Sequence, residues 1–191
     1  MGMPMSSASA RRYSLAEFER LRDAAPPGPR YEFLDGEVLV TPSPNLVHQR
    51  IVLSLGLRLA SFVRAHALGE LVLSPFDVRF GERLVFQPDV LVMTPDDVRQ
   101  RRMDAARELL LAVEILSPGS ARHDRLQKRP RYQEQGVAQL WLVDAESELV
   151  ERWTPGDERP EIVTATLAWR PEGAPEALTI HLPELFEDAR R

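Results

Sequence analysis

The sequence contains no cysteine, which excludes disulfide bridges and metal sites built from thiolates. It also lacks an unbroken run of 18 apolar residues, about the length that a membrane-spanning helix requires. Residues 1–10, MGMPMSSASA, have no apolar segment of the kind found in secretory signals. We therefore expect a protein without a membrane anchor that stays in the cytoplasm.

Positive charge is scarce as well. The formal net charge is −5, so the chain as a whole does not resemble a protein that neutralises nucleic-acid phosphates. One segment, SARHDRLQKRPRY, is an exception because it concentrates basic residues: Arg122, Arg125, Lys128, Arg129 and Arg131. Such a segment is either the solvated face of a helix, which composition alone favours, or a patch that contacts phosphates.

Composition predicts one globular domain. The 191 residues are 43% apolar and 28% charged, which is typical of a folded domain with an ordinary core. We find no internal repeat and no linker, and we expect a disordered tail over residues 1–12 and a single domain over residues 13–191. Gly2 and Ser6 match the spacing of a myristoylation signal, but a chance match is the simpler explanation.

The first half of the chain alternates helix and hairpin patterns. Ser14 and Glu17 form a capping box before a short helix. YEFLDGEVLV predicts a hairpin that turns at Asp35-Gly36. An apolar stripe predicts a long amphipathic helix from about Asn45 to Ala67. Two strand-like runs, ELVLSPFDVRF and RLVFQPDVLVM, flank Gly81-Glu82 and predict a second hairpin.

The second half contains the most apolar run, LLLAVEIL, which we predict to be the central strand of a sheet. A helix from about Ser120 to Gln135 should follow and end at Gly136, with a kink or a late start because of Pro130. AQLWLVDA and ELVERW predict a strand pair, and LPELFEDARR a last helix. These patterns predict an α/β fold, with a central mixed sheet flanked by helices and all strands in a single sheet.

Two of the strand-like runs each carry one carboxylate. LVFQPDVLVM contains Asp89 and LLLAVEILSPGS contains Glu114, although an unpaired carboxylate is costly in an apolar setting. If the two strands are neighbours and both acids lie on the same face, the carboxylates converge. Two carboxylates, a backbone carbonyl and waters suit Mg²⁺ or Mn²⁺, which would supply the missing positive charge.

The helix that follows places three polar residues on one stripe, because Asp124, Lys128 and Tyr132 recur at intervals of four. An ordinary surface ion pair between Asp124 and Lys128 is an equally simple interpretation. The stripe begins just after the strand that carries Glu114, so Lys128 would be able to reach the carboxylates.

Several segments in this order resemble the Uma2 (DUF820) family, a branch of the PD-(D/E)XK nuclease superfamily. They are QPDVLVM, LAVEILSPGS, the pattern D-x-x-x-K-x-x-x-Y in DRLQKRPRY, GVAQLWLVDAE and YEFLDGEVL. The resemblance covers roughly residues 13–153. It implies a restriction-endonuclease-like domain and a DNA endonuclease that depends on Mg²⁺ or Mn²⁺.

The resemblance also implies roles for particular residues. Asp89, Glu114 and the backbone carbonyl of Ile115 would bind the metal, and Lys128 would be the catalytic lysine. The superfamily has its lysine two residues after the second acid, where this chain has Leu116. The resemblance implies further site residues: Glu37 or Glu32 as auxiliary acid, His48, Asp124 and Tyr132 as possible auxiliary groups, and Arg122, Arg125 and Arg129 as phosphate contacts.

Three hypotheses follow. The first is a metal-dependent DNA endonuclease, which would act as a symmetric homodimer because two strands must be addressed. The second is a nuclease fold that binds nucleic acid or a protein partner without cutting. The third is an acidic, dimeric structural protein whose carboxylates pair with arginines. Intact Asp89, Glu114 and Lys128 favour the first over the second, whereas the net charge favours the third.

Overall fold

The computed structural model describes residues 11–99, 105–106 and 108–191. The helices are α1 Leu15–Asp23, α2 Leu46–Ala65, α3 Pro95–Arg99, α4 Ala121–His123, α5 Arg129–Glu134 and α6 Leu182–Arg190, with a π-turn, Asp124–Lys128, between α4 and α5. The strands are β1 Arg30–Leu34, β2 Glu37–Thr41, β3 Glu70–Leu73, β4 Asp77–Phe80, β5 Leu84–Phe86, β6 Val90–Met93, β7 Ala105–Ala106, β8 Leu109–Ile115, β9 Leu140–Asp144, β10 Leu149–Trp153, β11 Glu161–Val163, β12 Thr166–Trp169 and β13 Leu178–His181.

The largest sheet has the strand order β11-β10-β9-β8-β6-β3. It is mixed, because β8 and β9 run parallel while the other neighbours run antiparallel. Strand β8 lies inside the sheet, and Leu111 and Val113 have no exposed surface. The prediction of a mixed central sheet with LLLAVEIL as an internal strand is therefore confirmed.

The expectation of a single sheet needs correction, since the described strands form three sheets. Besides the large one there are a sheet of order β2-β1-β5-β4-β7 and the pair β12-β13. The two runs around Gly81-Glu82 each divide near a proline, at Pro75 and Pro88. Proline has no N–H to donate, so it interrupts the hydrogen-bond ladder. The halves next to the turn, β4 and β5, form the predicted hairpin, and the outer halves, β3 and β6, pair in the large sheet.

The two faces of the large sheet bury different clusters. Val90, Val92 and Leu111 face a core shared with residues of α2 and α6. Leu91 and Ala112 face the opposite way, toward a core shared with residues of β4 and β5. Any polar side chain on this second face therefore lies between the two larger sheets.

Helix α2 covers the first face. Ile51, Leu55 and Leu59 are buried in that core, whereas Leu53 and Leu57 are exposed. By length and composition alone α2 is apolar enough to cross a membrane, but 39% of that stretch is buried inside the protein. A core helix passes the same test, and its buried face supports that interpretation of α2.

The structure confirms three local predictions from the sequence, at the start of one helix, in one hairpin turn and after the end of another helix. The capping box of Ser14 and Glu17 opens α1. Asp35 and Gly36 both have positive φ, 50° and 93°, as the predicted two-residue turn requires. Gly136, with φ of 72°, follows the end of α5, where a left-handed residue closes a helix.

Of the two effects predicted for Pro130, a kink or a late start, the late start is wrong, and the structure adds an irregularity that was not predicted. The helical segment runs from Ala121 to Glu134 without a late start, but its middle is a π-turn. The N–H of Arg129 bonds to the carbonyl of Asp124, five residues back, and Pro130 follows in the first turn of α5. The irregularity therefore lies in the turn before the proline, which lacks the N–H that would continue the ladder.

Some predictions lie outside the described residues. These include most of the expected N-terminal tail, with Gly2 and Ser6, because description starts at residue 11. In the charged segment after β6 the structure describes α3 and β7, whereas residues 100–104 and 107 are outside it.

Candidate active site

Asp89 and Glu114 meet on the face of the large sheet that looks toward the second sheet. In the antiparallel pair of β6 and β8, Val90 lies opposite Val113. The next pair of residues toward this end of the sheet is Asp89, immediately before β6, and Glu114 in β8. Both residues are 2% exposed. The strands are thus neighbours and both carboxylates lie on the same face, as the sequence predicts.

Lys128 reaches this face from the π-turn. Its Nζ lies 2.6 Å from Oε1 of Glu114, 2.9 Å from Oε1 of Glu32 and 3.4 Å from Oδ1 of Asp124. The lysine is 2% exposed and Asp124 is 4% exposed. The interpretation of Asp124 and Lys128 as a surface ion pair is therefore wrong, because both residues are buried with two further acids.

The cluster around Lys128 has perturbed titration. Burial raises the pKa of Glu114 to about 8, although the charge of Lys128 opposes that shift. Burial likewise raises the pKa of Asp124 against the charge of Lys128. Burial alone would lower the pKa of Lys128, but the charges of Glu114, Glu32 and Asp124 together raise it. Lys128 is therefore a permanent cation near neutral pH, and Glu114 holds a proton more readily than an exposed glutamate.

Asp89 has a separate set of partners. Arg30 donates to its Oδ1 at 2.7 Å, the backbone N–H of Ile115 donates to its Oδ2 at 2.8 Å, and Nε2 of His48 lies 3.2 Å from Oδ2. Burial would raise the pKa of Asp89, but the hydrogen bond with His48 and the charge of Arg30 lower it below its usual value. Asp89 is therefore held ionised beside Glu114, an acid whose pKa burial raises.

Tyr132 completes the cluster from α5. Its hydroxyl donates a hydrogen bond to Oε1 of Glu114 at 2.7 Å, so one oxygen of Glu114 receives both the phenol and the ammonium of Lys128. The ring has no exposed surface and packs against Phe80 and Phe86. The hydroxyl therefore orients Glu114 while the ring belongs to the core.

A cleft of about 620 Å³ opens onto these groups. The four acids and Lys128 form its floor, and the segments before α2 and after β8 form its walls. Leu116, which stands where the superfamily has its lysine, is one of the wall residues. Lys128 therefore places an ammonium at this cleft from the helix that follows β8.

Of the two candidates for the auxiliary acid, only Glu32 joins the cluster. Glu32 is 2% exposed and accepts both from Lys128 and from the backbone N–H of Gln87, at 2.7 Å. Glu37 is exposed, pairs with Leu34 at the hairpin turn and does not line the cleft. The structure thus does not bring Glu37 to the site, because it lies at the turn end of β2.

The three arginines that were expected to contact phosphates have different surroundings. Arg125 bonds to Asp144 at 2.9 Å and Glu151 at 2.6 Å. Arg129 lies over the ring of Trp153, 4.4 Å from its centroid. Arg122 is exposed and makes none of the ion pairs found among the described residues. Their contact with phosphates stays a prediction.

The sequence interpretation missed Arg30, whose guanidinium bonds to Asp89. The signal was present, since Arg30 and Glu32 are two residues apart on a strand and so lie on the same face. It also undervalued His48, whose side chain is 11% exposed and contacts Asp89. Among the described residues, Nδ1 of His48 is one of two buried side-chain atoms without a hydrogen-bond partner.

The chemistry of the acids fits a hard divalent cation. Among the described residues, no group of three or more histidines or acids is already arranged as a metal site. However, Mg²⁺ binds through few protein groups and keeps several waters. The floor provides carboxylate oxygens of Asp89 and Glu114 and the backbone of Ile115, with more negative than positive charge around them.

Comparison with known proteins identifies the fold and the family of this chain. The fold is that of a solved protein described as a "putative nuclease belonging to DUF820" from Anabaena variabilis, with a TM-score of 0.76 and 21% identity over 93% of this chain and 99% of that one. The sequence model of the Uma2 family, described as "Putative restriction endonuclease", matches residues 15–185. The chain therefore belongs to the Uma2 family. No curated protein matches it.

Proposed function

We propose that this protein is an endonuclease that hydrolyses phosphodiester bonds of DNA with the help of Mg²⁺ or Mn²⁺. One observation carries the proposal, namely the excess of acids over permanent cations on the cleft floor. Four buried acids, Glu32, Asp89, Glu114 and Asp124, meet two permanent cations, Lys128 and Arg30. The raised pKa of Glu114 and Asp124 lets protons compensate part of this excess, and a divalent cation would take the place of such a proton.

Asp89, Glu114 and the backbone carbonyl of Ile115 would hold the ion. When bound, it would supply charge neutralisation at the phosphate and a water of lowered pKa. Burial raises the pKa of Glu114 to about 8, so ion binding at this acid would release a proton near neutral pH. The role of Arg30 and His48 would be to keep Asp89 ionised and in place.

Lys128 would act as a fixed positive charge. The surrounding carboxylates raise its pKa, so Lys128 would stay protonated and would not be the base that deprotonates water. It would stabilise the negative charge that develops on the phosphate while water adds to phosphorus. In the overall reaction a hydroxyl group bonds to phosphorus, the bond to one sugar oxygen breaks, and that oxygen receives the remaining proton of the water.

A second candidate function is a nuclease fold that binds nucleic acid or a protein partner without cutting. The observation that favours it is that both acids are already satisfied by protein groups. Asp89 bonds to Arg30 and Ile115, and Glu114 bonds to Lys128 and Tyr132. A site so fully paired would keep its structure without a metal.

Calorimetric titration with Mn²⁺ and Mg²⁺, together with cleavage of plasmid DNA, separates the two functions. If the protein is a nuclease, it should bind the ion and cleave DNA only when the ion is present, and Asp89→Asn should lose both properties. If it is a non-cutting protein, neither property is expected. The two acids of the first hairpin give a variant and its matched control. Glu32→Gln should reduce the cleavage rate at least about tenfold, because Glu32 bonds to Lys128. Glu37→Gln should leave the cleavage rate unchanged. Light scattering of the same samples tests the expected homodimer.

A further inference from the structure

The depth of the site restricts which substrates can reach it. Asp89, Glu114 and Lys128 are each only 2% exposed, and all three lie on the floor of the cleft. A reacting group must come within hydrogen-bonding reach of such residues. The scissile phosphodiester therefore has to enter the cleft with its neighbouring sugar and base. The volume, about 620 Å³, is that of a pocket for a small organic molecule, roughly 300–1,000 Å³.

Apolar side chains form part of the cleft lining. Pro42, Pro44 and Val47 lie before or at the start of α2, and Leu116, Pro118 and Ala121 follow β8, with hydroxyl and amide side chains of the same two segments between them. Apolar side chains suit the flat faces of nucleobases better than they suit charged phosphates. In a duplex those faces are stacked inside the helix, whereas in a single strand they are available for contact with protein.

The charge of the cleft offers little to phosphates. Four cationic side chains line it, and each is paired with a carboxylate: Arg30 with Asp89, Arg125 with Asp144, Lys128 with Glu114 and Arg190 with Glu148. No unpaired lysine or arginine remains among the described lining residues. Phosphates of a duplex and of a single strand both find no free cation here. A single strand can still gain contacts between its bases and the apolar side chains of the cleft, whereas the outside of a double helix cannot.

We propose that the cleft takes single-stranded DNA, or unpaired nucleotides within a duplex, and that intact duplex is a poor substrate. This inference rests on the proposed nuclease function. The strand enters with a base against the proline and valine wall, and its phosphodiester reaches Lys128 and the acids on the floor. Enzymes that act on groups concealed in a duplex likewise use single strands or extrude a nucleotide.

The test uses one oligonucleotide sequence in three forms: single strand, blunt duplex, and duplex with a short internal stretch of unpaired bases. With Mg²⁺ or Mn²⁺, the single strand should be cut at least about tenfold faster than the duplex, and cuts in the third form should fall in the unpaired stretch. Equal or faster cleavage of the blunt duplex would overturn the inference.

Binding measurements separate this inference from the proposed function. Fluorescence anisotropy with the same labelled oligonucleotides needs no cleavage, and the single strand should bind at least about tenfold more tightly than the duplex. If none of the three oligonucleotides is cut but the single strand still binds more tightly, the proposed nuclease function is wrong and the inferred preference for single strands stands. If duplex binds as tightly as single strand, the inference fails whatever the cleavage result.

A matched pair of variants on α2 tests the wall. Val47 lines the cleft in the first turn, where an added carboxylate suits the helix dipole, and Leu57 is exposed outside the cleft. Val47→Asp should weaken single-strand binding at least about fivefold, because it places negative charge where the base and phosphate enter. Leu57→Asp should leave binding unchanged. Equal binding by both variants would show that the wall does not contact the strand.

Discussion

Lys128 and Arg125 lie three residues apart in the same π-turn, and each contacts more than one carboxylate, yet their surroundings differ. Lys128 is 2% exposed and contacts Glu32, Glu114 and Asp124, whereas the side chain of Arg125 is 35% exposed and contacts Asp144 and Glu151. Water screens the second cluster and not the first. Two clusters of similar composition, each with one basic residue and its acidic partners, therefore differ in how strongly their charges interact, although they lie on two sides of one helical turn.

The comparison separates structural ion pairs from a candidate reactive site. Around Arg125 the guanidinium is partly exposed and bonds to both acids, so solvent and the arginine together stabilise their charge. Around Lys128 the acids are buried, and burial raises the pKa of Glu114 to about 8. Burial, and not the number of ion pairs, indicates which cluster can exchange a proton for a metal ion.

The largest effect is expected from removing the buried cation. Lys128→Ala leaves three buried carboxylates without their shared partner, and we expect a loss of about 3–5 kcal/mol in the free energy of unfolding. Arg125→Ala, at the more exposed cluster, should cost clearly less than Lys128→Ala. Urea denaturation measures both. Similar losses for the two variants would remove the distinction between the clusters.

The same substitution affects the proposed reaction. For the fraction of Lys128→Ala that remains folded, cleavage of DNA should fall at least about a hundredfold, the scale of a positioned electrostatic group. Metal affinity should change little, because lysine is a neighbour of the ion and not its ligand. Arg129→Ala should instead weaken DNA binding and reduce its salt dependence by about one phosphate contact.

The second effect concerns pH. Between the ordinary pKa of Glu114, 4.5, and its value in the folded protein, about 8, the folded chain retains a proton that the unfolded chain releases. The contribution of Glu114 to stability is therefore fully present below 4.5 and is lost as pH rises toward 8. Thermal midpoints across this range should fall for the wild type relative to Glu114→Gln, which cannot ionise. Parallel curves would show that Glu114 titrates like an exposed acid.

A smaller loss is expected from Asp89→Asn. It removes the charge that Arg30 and His48 contact, so stability should fall by about 2 kcal/mol, the scale of a hydrogen bond to a charged group. If relief of the repulsion between Asp89 and Glu114 dominates instead, the free energy of unfolding should rise. Urea denaturation of the variant distinguishes the two outcomes. Asp23→Asn, at an exposed ion pair, serves as the control and should change stability little.

The smallest effect is expected from Tyr132→Phe. This variant keeps the buried ring and removes the hydroxyl that donates to Glu114. Because Lys128 still contacts the same oxygen, the loss of stability should be about 1 kcal/mol. Cleavage should fall more than this loss of stability explains if the hydroxyl orients Glu114. An unchanged cleavage rate would leave Tyr132 a packing residue only.

Much of the site was predictable from the sequence because strand alternation is strict. Once β6 and β8 were neighbours, only the register between them decided whether Asp89 and Glu114 lay on the same face. The four-residue spacing similarly placed Asp124, Lys128 and Tyr132 on one side of a helix. The choice between Glu32 and Glu37 was not predictable, because both acids belong to one hairpin and only tertiary packing buries one of them.

The division into sheets was also beyond the sequence interpretation. Each of the two long strand-like runs is interrupted near a proline, and the pieces on either side join different sheets. The prolines were visible, but their effect depends on which partner strand lies beside each piece. The π-turn is a similar case, since Pro130 signalled an irregularity but did not specify that it would take the form of a π-turn before the proline.

The π-turn has a consequence for the rotational phase of the helix. In a regular α-helix a spacing of four residues advances by about 40° more than a full turn, so Asp124 and Tyr132 would diverge by about 80°. The wider turn from Asp124 to Lys128 offsets part of that drift. Deleting one residue within this turn would rotate everything after it by about 100°. The segment should therefore accept substitutions on its outer face far more readily than any change in its length.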